Sequence, residues 1–218
     1  RAQYSEDVYL TSKSYQGEKG VYFGITVKDF AIYYNPDRSI SRNSSVEVYL
    51  STFGKMKMDE YCVNLRVCPT DNEGGIYFES WIEDPTDPAN MVKWYFEWEA
   101  AVTVQGIINT SECEGFTVEI FVPWSTLGVE TAEYIQYYPA FNHVETDSVN
   151  ESERTFVGIQ GCRVHSPSTW ITVNNGGVYN TYEIYNTYMK TDPEVVIDGK
   201  LDEDVWKGNQ TIKYYRKD

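Results

Sequence analysis

Basic residues are scarce in this chain. Lys and Arg number 18 against 33 Asp and Glu, a formal net charge of −15 over 218 residues. Phosphate recognition draws on clustered cations, so nucleic acid is excluded as an expected partner. Long apolar runs are also missing. No stretch approaches the ~20 apolar residues of a membrane-spanning helix, so membrane insertion is not expected. No secretory signal pattern is found, and the chain opens on Arg1, so it reads as a fragment or processed piece of a larger protein. Histidine occurs only twice, and no Cys stands in a C-x-x-C pair, which removes the usual zinc and thioredoxin-like spacings. Cys62, Cys68, Cys113 and Cys162 make an even count, compatible with disulfides in three pairings or with buried thiols. A Gly-x-Ser-x-Gly elbow and a Gly-rich phosphate loop are both absent. No spacing singles out two carboxylates as a glycosidase pair. The chain is therefore expected not to be an enzyme. Sustained helical periodicity is lacking as well.

What is present is strand signal. Aromatics make up 16% of the chain, with 19 Tyr and 6 Trp. That excess suits pleated strands and surfaces that bind by stacking. Val21–Val27 follows Gly20, and Val46–Leu50 follows a polar loop over 35–45. Tyr61–Val67 alternates, with Tyr61, Val63, Leu65 and Val67 on one face and Cys62, Asn64 and Arg66 on the other. A turn over 71–75 leads into Ile76–Trp81, and further strands are predicted at 94–105, 116–122, 134–143, 155–159 and 169–173. At least eight short strands between Gly, Pro and Asn turns predict an all-β fold. The expected form is a two-layer antiparallel β-sandwich, immunoglobulin- or jelly-roll-like.

The C-terminal stretch differs in kind. Thr191-Asp192-Pro193 reads as a linker, and residues 195–206 run as a short apolar strand, a turn and an amphipathic segment ending in Trp206. Two units follow: a β-sandwich binding domain over 1–190 and a separate segment over 191–218. The apolar side chains of Val195, Val196, Ile197, Val205 and Trp206 imply that this segment is folded.

Ile197-Asp198-Gly199-Lys200-Leu201-Asp202-Glu203-Asp204-Val205-Trp206 resembles the opening of family 9 carbohydrate-binding modules. Further matches lie in family order. Residues 20–29 resemble a "leu-tyr-val … val-x-asp" strand and 45–50 a "ser-val-glu-ile-phe-ile" strand. Residues 116–124 resemble "val-glu-x-x-ile-pro-trp", and Trp170 with Gly176-Gly177 resembles the late Trp-loop-Gly segment. The resemblance spans most of 20–177 and implies an immunoglobulin-like sandwich that binds sugars without cleaving them. In the family the Asp-Gly…Trp segment comes first, whereas here it comes last. It either starts a second tandem copy or completes this sandwich, as in a circular permutation.

The family's two sandwiching Trp imply a stacking site. Trp170 matches the later one and is expected at the rim of the ligand surface, with a buried end-cap as its alternative. The earlier one has no aromatic match in 40–44, and Tyr33 or Tyr34 can stand in from the same loop. Glu47 matches a ligand-binding carboxylate. Asn64 and Arg66 lie two residues apart on one strand face, where the family carries an Arg and an Asn. Asn142 and His143 end a strand near the same region. Trp124 and Trp206 are expected to pack in the core. Family habit and the acidic balance imply structural calcium, with Asp29, Asp198 and Asp202 as the carboxylates to consider. The expected function is a non-catalytic carbohydrate-binding module of a larger secreted or surface-attached bacterial protein. Glycan and the neighbouring domains of the same chain are its expected partners. The alternative is an adhesin repeat that grips a host surface protein.

Overall fold

The computed structural model describes residues 4–52, 58–59, 61–132, 134–144, 154–174, 177–178, 195–207 and 211–217. The expected linker at 191–193 and Gly176 lie outside them. Among the described residues, thirteen strands form two antiparallel sheets packed face to face, the sandwich expected from the strand spacing. The larger sheet contains β3 (Ser45–Thr52), β4 (Cys62–Pro69), β5 (Ile76–Asp84), β6 (Asp87–Lys93), β9 (Tyr134–Val144), β11 (Ile171–Asn174) and β12 (Gly177–Val178) in the order β12-β11-β9-β3-β4-β5-β6. β10 (Arg154–Gly158) pairs with the far end of β9. The smaller sheet runs β13-β1-β2-β8-β7, from β13 (Ile212–Lys217) through β1 (Tyr4–Gln16), β2 (Gly20–Lys28) and β8 (Cys113–Pro123) to β7 (Glu99–Gly106).

Alternation assigns the faces. Val46, Val48 and Leu50 of β3, Val63, Leu65 and Val67 of β4, and Phe23, Ile25, Val118 and Ile120 of the smaller sheet meet between the layers. Their side chains project at every second residue, so each neighbour in sequence faces outward. The β4 faces match the sequence reading at Val63, Leu65 and Val67, and Trp124 joins this core at 3% exposure. No disulfide links the four Cys; each is a thiol, and burial raises the pKa of Cys68, Cys113 and Cys162.

Two expectations need correcting. The strand expected over 94–105 begins later: 94–98 is a connection without strand structure, because the chain leaves the larger sheet after β6 and enters the smaller one at β7. The connection is fixed where the Trp94 N–H donates to the Ser80 carbonyl at 2.9 Å, and Trp98 turns inward against Phe78. An aromatic run carries no sign of a change of sheet. The second correction concerns β1, which goes unread because Ser12 and Ser14 occupy inward positions and blur its alternation.

The described residues after 194 pack against the smaller sheet. β13 pairs antiparallel with β1, Thr11 opposite Lys213 and Ser12 opposite Ile212. Residues 195–207 lie over the outer face of the smaller sheet. There Val205 and Trp206 pack on Tyr15 and Tyr22, and Phe121 and Leu201 close the cluster. Gly24 makes room: a Cβ there would lie 2.6 Å from a Leu201 methyl and 3.2 Å from Trp206. Beneath this cover sits Glu119 of β8. It accepts the Asp198 and Gly199 N–H groups, each at 3.0 Å, and the Trp206 indole N–H at 3.1 Å. Burial, aided by the nearby Glu203 charge, pushes its pKa up to about 7 despite those donors.

Candidate functional site

The outer face of the larger sheet holds a polar network. Register sets Glu47 of β3 beside Arg66 of β4, and Arg66 beside Glu79 of β5. One pleat along, Tyr49, Asn64 and Trp81 stand in the same sequence across the three strands. On the other side of β3, Ser45 pairs with Asn142 of β9. All these side chains point away from the core because their neighbours point into it.

Glu47 is the hub. It is 3% exposed, and a buried carboxylate is costly unless hydrogen-bonded and paired. Tyr49 donates to it at 2.6 Å, Asn64 at 3.3 Å and Asn142 at 2.9 Å. The Arg66 Nε lies 3.4 Å away and donates to the Asn64 Oδ1 at 2.5 Å. Burial, reinforced by the adjacent Glu47 charge, pushes the Tyr49 phenol well above its ordinary range. So four expected residues, Glu47, Asn64, Arg66 and Asn142, are brought together.

Beyond Arg66 the network opens to solvent. The Arg66 guanidinium sits 4.9 Å from the Trp81 ring centroid and 3.8 Å from Glu79. Lys93 of β6 pairs with Glu79 at 2.6 Å and donates to the Tyr77 hydroxyl at 3.1 Å, and that hydroxyl donates to Glu79 at 3.1 Å. These hydrogen bonds, led by the one to Glu79, raise the Lys93 pKa and keep it charged. Tyr77, Glu79, Trp81 and Lys93 form one wall of a cleft of about 360 Å³. The other wall is the 34–40 segment, with Tyr34, Pro36, Arg38, Ser39 and Ile40. A short 3-10 turn at Ile40–Arg42 anchors that segment, and Asn43 braces it by accepting the Asn35 N–H at 2.8 Å. Tyr34 is therefore the aromatic this loop supplies to the cleft.

Trp170 corrects the expectation of a rim. It is 1% exposed, lying under the Pro167–Thr169 3-10 turn on Tyr49, Tyr138, Met58 and Cys62. Its indole N–H donates to the Arg163 carbonyl at 2.7 Å. The ring covers the half of the outer face next to Glu47, so the loop after β10 closes that half, while among the described residues no loop covers the β5–β6 half. His143 is a second correction. It neighbours Asn142 in sequence, and alternation sends it to the opposite face. There its Nδ1 meets Asp29 at 2.7 Å and its Nε2 meets Arg216 of β13 at 2.7 Å. Burial raises the Asp29 pKa, and His143 partly offsets that rise.

The carboxylates expected around calcium do not converge. Asp29 is buried against His143 and accepts the Ala31 N–H, whereas Asp198 pairs with Lys200 in the turn over the smaller sheet. Asp202 is exposed beyond that turn. Among the described residues no group of three or more His, Cys, Asp or Glu stands together. Residues that sequence reasoning missed are Arg38, Tyr77, Glu79, Trp81 and Lys93. The signal was present in the Tyr77-Glu79-Trp81 alternation, which continues the Asn64-Arg66 face one strand further.

No family model matches the sequence, and no curated protein does either. Solved structures share the fold. One is a carbohydrate binding module family 9 from Caldicellulosiruptor kristjanssonii in complex with cellotriose. It is 12% identical and aligned over 83% of this chain and 89% of that one, with a TM-score of 0.50. Another, a family 9 module from the same organism in complex with glucose, is 11% identical over 89% and 88% of the two chains, also at 0.50. The chain has the β-sandwich fold of these modules, in agreement with the sequence resemblance.

Proposed function

We infer that the domain binds carbohydrate on the outer face of its larger sheet and does not cleave it. One arrangement carries this reading: the rings of Tyr34, Tyr77 and Trp81 line the same cleft as Arg38, Glu79 and Lys93. A pyranose has apolar C–H faces and a rim of hydroxyls. Rings for the faces and charged hydrogen-bonding groups for the hydroxyls are the matching chemistry. The shared fold supports the reading, since the two family 9 modules are in complex with cellotriose and glucose. A binding rather than catalytic role is supported by Glu47, which is saturated with donors and buried beyond the reach of a scissile bond. The acidic balance suits the setting we assign, outside the cell within a larger secreted or surface-attached protein. Among the described residues no helix is long and apolar enough to cross a membrane.

The test is calorimetric titration with cellotriose, glucose and a panel of plant and animal oligosaccharides, on the wild type and on Trp81→Ala. Saturable binding to at least one panel member, weakened tenfold or more by Trp81→Ala, is the expected result. A wild type that binds none of the panel, or a Trp81→Ala variant that binds as the wild type does, overturns the reading. A rival reading is a grip on a host protein. Phe78, Trp94 and Tyr95 favour it, being 42, 41 and 90% exposed. Retention of a serum or matrix protein by the domain, undisturbed by saturating oligosaccharide, would decide for it.

A further inference from the structure

A second cleft, of about 430 Å³, opens where β10 and β13 come together. That volume lies in the range of about 300–1,000 Å³ usual for small-molecule sites. Among the described residues β10 pairs with β9 alone and β13 with β1 alone, so an edge strand of each sheet borders the cleft. Strand parity sets the lining. Thr155 stands opposite the buried His143, so it faces the gap between the layers. Tyr214 also points inward, and its hydroxyl donates to the Pro139 carbonyl, which fixes its ring in the cleft wall. Tyr215, 37% exposed, forms the rim. Its ring meets that of Tyr9 in a T-shaped contact at 5.5 Å, and the Lys213 ammonium lies 5.0 Å from its centroid. Gln160, exposed just after β10, completes the opening.

This lining differs in kind from that of the first cleft. Among the described residues no Asp, Glu, Lys, Arg or His lines it. Three of its side chains, Thr155, Gln160 and Tyr215, can each both donate and accept a hydrogen bond. A net charge of −15 repels an anion, and with no carboxylate in the lining a cation gains no partner. A neutral pyranose suits the site on both counts. Its C–H face matches a tyrosine ring, and its hydroxyls donate and accept as the three polar side chains do. We propose that this cleft is a second carbohydrate site, selective for an uncharged pyranose. Thr155, Gln160 and the Tyr215 hydroxyl meet the sugar hydroxyls, and the Tyr215 ring meets its apolar face. The proposal goes beyond the function assigned above and stands on a separate set of residues. Four interstrand steps, roughly 20 Å, separate β10 from β5, so the two clefts hold different sugar units. Occupied together by one polysaccharide, two sites hold it more tightly than either does alone.

The experiment follows backbone amide resonances of the full chain during titration with glucose, galactose, mannose, their neutral trimers, and glucuronic and galacturonic acids. At least one neutral sugar should shift the amides of Gly158, Gln160 and Tyr215 saturably, with the same midpoint in wild type and in Trp81→Ala. Tyr215→Ala should weaken that response about tenfold and Gln160→Ala about threefold or more. Gln160 is exposed, so its truncation should leave the melting temperature unchanged and separates binding from folding. Sugars that shift only the amides around Tyr77 and Trp81 overturn the proposal and leave the first cleft's assignment standing. A uronic acid that saturates the Gly158 and Gln160 amides as readily as any neutral sugar overturns it too, as does a Gln160→Ala variant with the wild-type midpoint. Shifts at Gly158 and Gln160 with none near Trp81 uphold the second site and count against the first. Silence at both clefts overturns both.

Discussion

The two outer faces of the sandwich each centre on a buried carboxylate, and they treat it differently. Over the smaller sheet, Glu119 is capped by the chain's own 195–207 segment, through two backbone N–H groups and one indole. Over the larger sheet, Glu47 is held by side chains of three adjoining strands, Tyr49, Asn64, Arg66 and Asn142. Backbone donors come with a covering strip of chain, so the first face is shut. Side-chain donors leave no strip behind, so among the described residues the second face is shut where the Trp170 loop reaches it and is open at Trp81. A covered polar centre contributes to stability, and one exposed at its margin is available for recognition.

The largest expected effects fall on the two indoles that shut these faces. Trp206→Ala should cost about 3–5 kcal/mol, since it opens a cavity and removes a donor from Glu119. Trp170→Ala should cost a similar amount, read from urea midpoints at constant slope. A loss under about 1 kcal/mol in either variant would show that the indole does not seal its face. Gly24→Val comes next, at about 1–3 kcal/mol, because the added carbons drive into Leu201 and Trp206. Stability equal to the wild type would mean that the segment rides loosely on the sheet.

Glu119 yields a smaller, pH-dependent effect. Its folded pKa of about 7 stands above the ordinary 4.5, so the folded state holds its proton more tightly than the unfolded chain does. The associated stability is full below pH 4.5 and is lost as pH rises through 7. Urea midpoints of wild type and Glu119→Gln, compared from pH 4.5 to 7.5, should therefore converge or cross as pH rises. Parallel profiles would remove this titration from the account. Smallest of all is the stability effect of Trp81→Ala, expected under about 1 kcal/mol because the ring stands at an open margin. A much larger loss would turn Trp81 into a second Trp170 and erase the contrast between the halves of the face.

Much of the fold was legible because alternation survives wherever one strand face is uniformly apolar, as in Val46-Val48-Leu50 and Val63-Leu65-Val67. β1 was illegible because serines take inward positions in it. The change of sheet at 94–98 was illegible because aromatic residues suit both sheets equally. At the candidate site, Glu47, Asn64, Arg66 and Asn142 followed from a family pattern laid on strand parity, and the structure brings them together. Trp170 was misplaced because sequence position tells which loop carries a residue, not whether neighbours such as Tyr49 and Tyr138 roof it over. His143 lies apart from Asn142 because successive residues of a strand face opposite sides of the sheet. Trp81, Glu79 and Lys93 were missed because nothing local marks them, and only the pairing of β4 with β5 and of β5 with β6 puts them beside Arg66.

The pairing of β1 with β13 has a mechanical consequence. Tyr4 lies opposite Lys217, and the ladder runs inward from there to Ser12 and Ile212. Tension applied through residues 4 and 217 would load the first rung of that ladder alone, then the next, as in opening a zipper. A parallel arrangement would share the load among all the rungs at once. Stretched between anchored neighbours, this domain should give way at its β1–β13 seam under low force. Peeling β13 away would pull Arg216 off His143 before either outer face is disturbed.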